Sequence, residues 1–435
     1  MENTLLNEQE SSFVLENARA DVNALRLKRC SARLVNAIEA RSRIERKLPL
    51  WFAHPELLYA SMLSVQQCSS QATACYKRLI LQGVFSSGNH ALRAADLTGG
   101  MGVDSLFLSS LCRSFLYVER NTELYESVRE NFKVLVPALN NGTVPSIEFR
   151  NCEISPENLG TVLGEGHYDF IFADPARRSA SDSSKKLVAL SEYTPDILTM
   201  KESLLERCSY LLVKVSPMAD ISQLLRELPE TVQIHAVSVD NDCKELLLLL
   251  KGNNTDVKAD MHEVEVSAVN IKSDKVLENL QIFRYSLGEK CTAGLADPGK
   301  LLEGGYQFLF EPGKSMLKCG AAALQASQYG LLQLAPSSNL FVSNVALNQA
   351  DDNNHRCGKE EYQGRQYRIL EVIPFSRKTL KEVFRKYQDA GVTARNFPMS
   401  TNAVVAAART RESAQEHLFF TTLSNGGKVI IATGK

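Results

Sequence analysis

The 435-residue sequence carries 49 basic and 50 acidic side chains, a formal net charge of −1, and 44% hydrophobic residues. This length exceeds what one hydrophobic core usually serves, so two to four domains are expected. The ten cysteines are scattered with no Cys-x-x-Cys pair, the first residues are polar, and no apolar run approaches the ~20 residues that a bilayer needs; these features predict a soluble, cytoplasmic chain with reduced thiols and no metal site.

The first predicted region, residues 1–90, is a helical domain, because apolar side chains recur at helical spacing through residues 11–82. Residues 26–47 hold eight basic and two acidic side chains, and thirteen basic against seven acidic side chains lie from Lys359 onward. Such basic ends are typical either of solvated helix faces or of contact with a polyanion.

From residue 91 short apolar runs alternate with amphipathic stretches, which predicts a parallel, doubly wound sheet. The alternation breaks at VQIHAVSV and ELLLLL, which are joined by a tight NDCK turn. Strands this close in sequence must pair antiparallel, because a parallel crossover needs a dozen or more residues. A parallel sheet closed by an antiparallel hairpin is the topology of class I methyltransferases, whereas dinucleotide-binding dehydrogenases end in a parallel strand. We therefore predict a Rossmann-like α/β methyltransferase domain over residues 91–255.

Two smaller α/β modules are predicted after this domain. Beyond the linker Gly252–Asp260, strand-like MHEVEVSAVNI and YQFLFEP surround helical SMLKCGAAALQASQYG, which predicts a module over residues 256–350. The strands YRILEVIPF, HLFFTTL and KVIIAT with the helix RKTLKEVFRKYQDA predict a second module over residues 360–435.

A glycine-rich loop, DLTGGMG, ends the first predicted strand of the sheet and opens a helix. Glycines let the backbone approach a ligand closely, and a helix N-terminus offers free amides to an anion, although a tight structural turn is the alternative. The next strand ends at Glu119, where an acidic side chain in such folds accepts hydrogen bonds from a ribose diol. The spacing resembles the methyltransferase pattern (D/E)xGxGxG, with Thr98 in the first glycine position. These features predict a site for S-adenosyl-L-methionine (SAM), held by Asp96, Thr98, Gly99, Gly100, Gly102, Asp104, Glu119, Cys152 and Lys77.

Segments along nearly the whole chain carry a likeness to a known family: KLPLW, QCSSQATACYKR, DLTGGMGVDS, FADPARR, LLVKVSP, FLFEP, YRILEVIPFSRKTLK and ARNFP. They resemble bacterial class I SAM-dependent methyltransferases with a C-terminal THUMP-like domain. The resemblance implies a ferredoxin-like module before the THUMP-like one, and an RNA-modifying enzyme, since THUMP domains accompany tRNA-modifying chemistry.

The helix before the first sheet strand covers the methionine end of SAM in many methyltransferases. In this sequence the candidates on that segment are Gln67, Ser70, Tyr76 and Lys77. A packing helix with a solvated polar face is the alternative.

The motif Asp174-Pro175-Ala176-Arg177 follows the fourth predicted strand at its carboxyl end, where ligands bind in open α/β sheets. It resembles the D/N-P-P-Y/F motif of amine methyltransferases, but Arg177 stands where that motif has an aromatic residue. Asp174, Pro175 and Arg177 are therefore predicted to form the acceptor site. Arg177 and Arg178 can bind phosphate by bidentate contacts, or they are ordinary surface arginines.

DPAR is closer to a motif of RNA uracil carbon-5 methyltransferases, which also use a cysteine nucleophile and a glutamate base. Here Val215 occupies the cysteine position before Pro217, whereas Glu245 matches the base. Direct transfer without a covalent intermediate is therefore predicted, with Lys214 and Ser216 as weaker candidates in the same cleft.

Three hypotheses follow for the whole chain. The first is a SAM-dependent RNA methyltransferase acting on tRNA or rRNA, and the second is a SAM- or RNA-binding protein without catalysis. The third, favoured by the near-zero net charge, is a methyltransferase of a small molecule or a protein.

Overall fold

The computed structural model describes residues 4–27, 30–85, 92–139, 145–177, 190–253, 263–272, 280–289, 292–347, 361–408 and 416–434. The chain forms two compact units. The first comprises Met1–Asp240, Lys244–Glu265 and Ile271–Leu280, and the second comprises Asn241–Cys243, Val266–Asn270 and Gln281–Lys435.

The first unit begins with the predicted helical region. Its helices α1 to α6 are Glu8–Glu16, Val22–Leu27, Ala32–Ile44, Pro49–Phe52, Met62–Gln67 and Gln71–Val84. Trp51, Ile38 and Ile44 are fully buried among them, so the apolar face expected from the helical spacing does form a core.

Most of the basic side chains of residues 26–47 have structural partners. Arg33 pairs with Glu10, and Arg26 and Arg43 both pair with Glu39. Buried Arg41 donates to the Phe52 carbonyl oxygen at 2.9 Å. Lys28 and Arg29 lie outside the described residues. These contacts give several of the basic side chains a structural role, and contact of this stretch with a polyanion stays a prediction.

The sheet of the first unit contains β1 (Leu92–Asp96), β2 (Cys112–Glu119), β3 (Ser146–Asn151), β4 (Tyr168–Ala173), β7 (Cys208–Val215), β8 (Thr231–Val239) and β9 (Asp242–Lys251). Their order is β3-β2-β1-β4-β7-β9-β8. Strands β1 to β4 and β7 pair in parallel, and β9 runs antiparallel to β7. The crossovers contain α7 (Val103–Ser109), α8 (Thr122–Leu139), α9 (Leu159–Leu163), α10 (Ile197–Leu205) and α11 (Ile221–Glu227).

The closing hairpin confirms the predicted antiparallel ending, with its turn two residues earlier than expected. Asp240 and Asn241 both have positive φ, at 49° and 61°, as a two-residue hairpin turn requires. Strand β9 therefore starts at Asp242, and Cys243 lies within the strand rather than in the turn. Leu246 to Leu250 are buried on both faces of the sheet, which explains this continuous apolar run.

A short clip interrupts the chain after β4. Strand β5 (Ala176–Arg177) pairs antiparallel with β6 (Tyr193–Thr194), just after a 3-10 turn at Leu190–Glu192. Helix α10 then begins at Ile197 with Asp196 as its cap. The backbone of Arg177 is thereby held beside the carboxyl end of β4.

The second unit contains a mixed sheet with the order β13-β14-β12-β15-β18-β17-β16. Its strands are β12 (Phe308–Pro312), β13 (Leu332–Gln333), β14 (Phe341–Ser343), β15 (Gly364–Pro374), β16 (Gly391–Arg395), β17 (Glu416–Thr422) and β18 (Lys428–Gly434). Strands β10 (Glu265–Ile271) and β11 (Leu280–Ser286) precede it. Its helices are α12 (Pro298–Leu302), α13 (Lys314–Lys318), α14 (Ala322–Gln328), α15 (Arg377–Lys386) and α16 (Thr401–Ala408). Because β12 pairs with β15, the two small modules share one sheet.

Within the described residues no helix is long and apolar enough to cross a membrane. The cysteines in those ranges are free thiols, while Cys291 and Cys357 lie outside them. In the part of the chain that the structure describes, no group of three His, Cys, Asp or Glu side chains is arranged to hold a metal ion.

Candidate functional site

The glycine-rich loop leaves β1 at its carboxyl edge and is shaped by Asp96. Asp96 Oδ1 accepts a hydrogen bond from the Thr98 amide at 2.9 Å, and Oδ2 accepts one from Ser105 Oγ. Both carboxylate oxygens of this buried residue are thus used within the loop and the first turns of α7. The Asp96 carboxylate therefore stabilises the loop through hydrogen bonds to protein groups.

The glycines of the loop have different structural reasons. A Cβ atom on Gly99 would lie 2.1 Å from the Tyr117 ring, and one on Gly102 would lie 2.7 Å from Phe132. At Gly100, where φ is +55°, the nearest atom to an added Cβ is the Thr98 carbonyl oxygen at 3.8 Å. Packing alone explains Gly99 and Gly102, whereas the space beside Gly100 is open to a ligand.

Glu119 ends β2 beside this loop, as the sequence predicts. Its Oε2 accepts a hydrogen bond from the Gly100 amide at 2.8 Å, and its Oε1 accepts one from the Asn121 amide at 2.7 Å. The side chain is 9% exposed. A carboxylate oxygen has two lone-pair sites, so each oxygen can still accept a hydrogen bond from a ligand hydroxyl.

Thr98, which replaces the first glycine of the methyltransferase pattern, links the loop to the acceptor motif. Its hydroxyl oxygen accepts a hydrogen bond from the Asp174 amide at 2.6 Å, and it lies 3.3 Å from Asp96 Oδ1. The departure from glycine therefore has a physical reason, because a glycine could not join the ends of β1 and β4.

Behind the acceptor motif lies a group of polar side chains, here called the charge cluster. It consists of the uncharged Ser69 and the charged Lys77, Asp104, Asp174, Lys214 and Glu245. Lys77 is fully buried, and its Nζ lies 2.9 Å from Asp104 Oδ1, 2.8 Å from Glu245 Oε1 and 3.2 Å from Ser69 Oγ. Its three ammonium hydrogens thus have three protein partners. Lys77, predicted to contact SAM, instead faces these protein groups.

The opposite end of the charge cluster reaches the surface. Lys214 Nζ pairs with Asp174 Oδ2 at 2.5 Å, and the side chain of Asp174 is 35% exposed against 14% for that of Lys214. The other oxygen of Asp174 has no hydrogen-bond donor among the described residues. Asp174 therefore presents a free carboxylate oxygen at the carboxyl edge of the sheet.

Mutual pairing sets the protonation of the cluster. Burial alone would raise the pKa of Asp104, but the Lys77 and Lys214 ammonium groups hold it below its usual value. Burial raises the pKa of Glu245 despite the same two lysines. Burial alone would lower the pKa of Lys214, but Asp174, Glu245 and Asp104 raise it above the usual value. Lys214 is therefore a permanent cation at neutral pH.

Asp96 makes the stability of the protein depend on pH, because burial raises its pKa to about 7 despite hydrogen bonds from Ser105 and Thr98. The folded state then binds a proton that the unfolded state releases near pH 4, so this contribution to stability is full below pH 4 and is lost as pH rises to 7. Asp96→Asn removes it. We expect the free energy of unfolding of the variant, relative to wild type, to rise by on the order of 4 kcal/mol from pH 4 to pH 7 in urea titrations. A difference independent of pH would contradict this.

Several other candidate residues have structural roles. Ser70 caps α6 by accepting from the Thr73 amide at 3.2 Å, and the Tyr76 hydroxyl bonds to His235 Nδ1 at 2.9 Å. Gln67 is exposed at the end of α5. For these residues the packing-helix alternative explains the sequence.

Cys152 follows β3 directly, at the same edge as Glu119. The described link to that edge comes from its neighbour Asn151, whose Nδ2 donates to the Glu119 carbonyl oxygen at 2.8 Å. Asn151 is also the register partner of Glu119 across the sheet. A role for Cys152 toward a ligand stays a prediction.

Within the acceptor motif Pro175 is buried, and the backbone of Arg177 pairs with Tyr193. Arg178 lies outside the described residues. Cys208 opens β7 and is buried, three residues after α10 ends at Leu205. Phosphate binding by the arginines stays a prediction.

Ser69 and the pairing of Lys214 were not anticipated from sequence in these roles. A signal exists, because Lys214 interrupts the apolar strand YLLVKV and Glu245 precedes a run of leucines. Lysine and glutamate are almost never fully buried unless paired, so each charge predicts an opposite charge nearby. The sequence does not say which one.

Family comparisons identify the C-terminal modules. Residues 308–349 match a ferredoxin-like domain, and residues 364–435 match a family described as THUMP domain-like. No curated protein matches the sequence significantly.

A solved structure from Porphyromonas gingivalis W83, of a protein provisionally named a methyltransferase, superposes with a TM-score of 0.75 and 25% sequence identity. The match covers 99% of this chain and 100% of that one. The chain has a class I methyltransferase fold. The predicted combination of this fold with ferredoxin-like and THUMP-like modules is thereby confirmed.

Other solved methyltransferases resemble part of this chain. Magnesium protoporphyrin IX methyltransferase from Synechocystis PCC 6803, with bound SAM, is 15% identical with a TM-score of 0.30 over 42% of this chain and 79% of that one. The 16S rRNA N2 G1207 methyltransferase of T. Thermophilus, in complex with AdoMet and guanosine, is 11% identical with a TM-score of 0.29 over 43% of this chain and 44% of that one. These likenesses are too slight to support an argument about activity.

Proposed function

We propose that this protein binds SAM at the Asp96–Gly102 loop and transfers its methyl group to RNA. One observation carries the proposal: the open side of Gly100 and the carboxylate of Glu119 meet at the carboxyl edge of β1 and β2. In open α/β sheets this edge is where ligands bind, and an acidic side chain at the end of β2 suits a ribose diol. SAM, when bound, supplies an electrophilic methyl group.

The residues of this edge divide the work of holding SAM. Glu119 accepts the ribose hydroxyls, and the backbone beside Gly100 accommodates the close approach of the ligand. Asp96 and Thr98 hold the loop in shape through their hydrogen bonds to the backbone and to each other. The exposed carboxylate of Asp174 marks the acceptor side, next to the same loop.

Support for RNA comes from the second unit. Helix α15 buries Val383 and packs Leu380 and Phe384 against the THUMP-like sheet. Its exposed surface carries one acidic residue, Glu382, and five basic residues, of which Lys386 pairs with Glu371: Arg377, Lys378, Lys381, Arg385 and Lys386. A basic helix face of this kind is the electrostatic footprint expected of a nucleic-acid-binding module.

SAM binding can be tested with a matched pair of glycine variants. Gly100 and Gly164 both have positive φ, at 55° and 66°, and an added Cβ at either position meets no atom closer than 3.8 Å. Alanine at either site should therefore cost about 1–3 kcal/mol of stability, with the larger loss at Gly164, whose ψ of −159° belongs to a region almost exclusive to glycine. Only Gly100→Ala places a methyl group where SAM approaches, so its SAM affinity in calorimetry should fall about 5- to 150-fold, since crowding costs roughly 1–3 kcal/mol.

Gly164→Ala should bind SAM like wild type. Absence of SAM binding by the wild-type protein would reject the proposed function, and equal affinities of the two variants would move the ligand away from Gly100. Glu119→Ala is a less specific test, because it also removes the acceptor for the Gly100 and Asn121 amides. A fall in affinity would then report loop disorder as well as a lost ribose contact.

A non-catalytic binding protein is the second candidate. The departure of the acceptor motif from D/N-P-P-Y/F favours it, because Arg177 leaves the motif without an aromatic platform. The pairing of Asp174 with Lys214 argues against it, because it leaves a partly exposed carboxylate at the edge where an acceptor would lie. Methyl transfer measured with labelled SAM decides between the two candidates.

A further inference from the structure

A fixed positive charge, the ammonium group of Lys214, lies next to the Asp174 carboxylate on the acceptor side. Lys214 Nζ lies 2.5 Å from Asp174 Oδ2 and is enclosed more deeply than the carboxylate. Glu245 and Asp104 behind it add to the negative field that keeps Lys214 protonated. Any acceptor atom that hydrogen-bonds to the free oxygen of Asp174 therefore lies close to an ammonium group.

This cation discriminates between kinds of acceptor. An amine nitrogen gains positive charge as it is methylated, which the Asp174 carboxylate favours and the Lys214 ammonium beside it opposes. A carbon atom of a pyrimidine needs a thiolate, and Val215 stands where related enzymes place the cysteine. A hydroxyl oxygen gains alkoxide character as its proton leaves, and a fixed ammonium stabilises that negative charge.

We propose that the acceptor is a ribose 2′-hydroxyl of RNA, oriented by Asp174 and stabilised by Lys214; this rests on the function proposed above. The hydroxyl oxygen forms a bond to the methyl carbon while the carbon–sulfur bond breaks, the electron pair stays on sulfur, and the hydroxyl proton passes to Asp174. A carboxylate can take this proton because the transfer accompanies the formation of the oxygen–carbon bond, so a full alkoxide never builds up, and the Lys214 ammonium stabilises the partial negative charge on the oxygen while its proton is leaving. Asp174 then releases the proton to water through its exposed edge.

RNA rather than another alcohol follows from two observations. The THUMP-like module carries the basic face of α15, which suits a phosphate backbone, and the ribose hydroxyl is the alcohol present at each nucleotide of RNA. The Asp174–Arg177 motif also has no aromatic side chain on which a base could stack. The ribose, not the base, is then the part of the nucleotide that this motif binds.

The chemical position of the methyl group tests the proposal. The full-length protein is incubated with tritium-labelled SAM and total RNA from a strain that lacks it, and the RNA is hydrolysed in alkali. A 2′-O-methylated ribose cannot attack the adjacent phosphodiester, so the label is expected in alkali-stable dinucleotides. Label released in mononucleotides, which indicates a methylated base, would overturn the proposal, as would transfer to protein alone or no transfer to RNA.

Calorimetry with SAM separates this proposal from the function on which it rests. SAM binding together with base methylation rejects the ribose acceptor alone, whereas absent SAM binding rejects both. Lys214→Gln removes the cation and should lower turnover about a hundredfold, as loss of a group that stabilises an oxyanion does, with SAM affinity unchanged. Lys214→Arg keeps the charge and should retain more activity than Lys214→Gln; equal activity of the two variants would remove Lys214 from the mechanism.

Discussion

Asp174→Asn is expected to lower the turnover of methyl transfer by about 10²- to 10⁴-fold, the range typical of a lost general base. The amide oxygen can still accept from Lys214 Nζ and the backbone amide still reaches Thr98, so the loop keeps its shape. What is lost is the free, charged oxygen that orients the acceptor and takes its proton. Turnover is measured with labelled SAM and saturating RNA, and SAM affinity by calorimetry.

Because Asp174 acts on the acceptor, the SAM dissociation constant should remain within about twofold of wild type, and turnover should carry the whole effect. Asp220→Asn is the matched control. Asp220 caps α11 by accepting from the Gln223 amide at 2.8 Å, and asparagine caps a helix equally well. A turnover of Asp174→Asn close to that of Asp220→Asn would contradict an acceptor role.

Lys77→Met is expected to destabilise the first unit by about 3–5 kcal/mol, the usual cost of removing one partner from a buried ion pair. The ammonium of Lys77 lies within 3 Å of both Asp104 and Glu245, all three in the interior. Methionine has a similar shape but leaves two buried carboxylates without their cation. The free energy of unfolding is measured by urea denaturation at pH 7.

Lys133→Met serves as the control, because Lys133 pairs with Glu130 from a side chain that is 62% exposed, and such pairs contribute roughly 0–1 kcal/mol. Adding Glu245→Gln to Lys77→Met should recover part of the loss, since one unpaired charge disappears with it. A loss no larger than that of Lys133→Met would show that Lys77 does not compensate these carboxylates. A loss of SAM affinity in variant protein that is still folded would show that Lys77 contacts the cofactor.

The two experiments address opposite ends of one cluster. Asp174 is partly exposed with Lys214 beside it, where the proposed chemistry takes place, whereas Lys77 and Glu245 are enclosed by protein. Buried Glu245 and Asp104 position the exposed pair indirectly, because they help to keep Lys214 charged without touching the acceptor. Effects on turnover are therefore expected at the exposed end and effects on stability at the buried end.

Much of the candidate site is local in sequence and could be predicted. The DLTGGMG loop and Glu119 lie at the ends of adjacent parallel strands, and parallel strands bring their carboxyl ends to one edge. The hairpin between Val239 and Asp242 leaves only an antiparallel pairing. Alternation of strands and helices therefore determined the fold class, and the spacing of a few residues determined the candidate SAM site proposed at this edge.

The tertiary structure decided what depends on distant packing. Lys77 and Glu245 are 168 positions apart, and their contact depends on how α6 packs against the sheet. The basic residues near the N-terminus likewise meet Glu10 and Glu39 through helix packing, and β12 joins β15 into one sheet. Apolar neighbours in the sequence indicate that a charged residue is buried. They do not identify its partner, because a residue from any part of the chain can neutralise a buried charge, and which one does so depends on how the helices and strands pack.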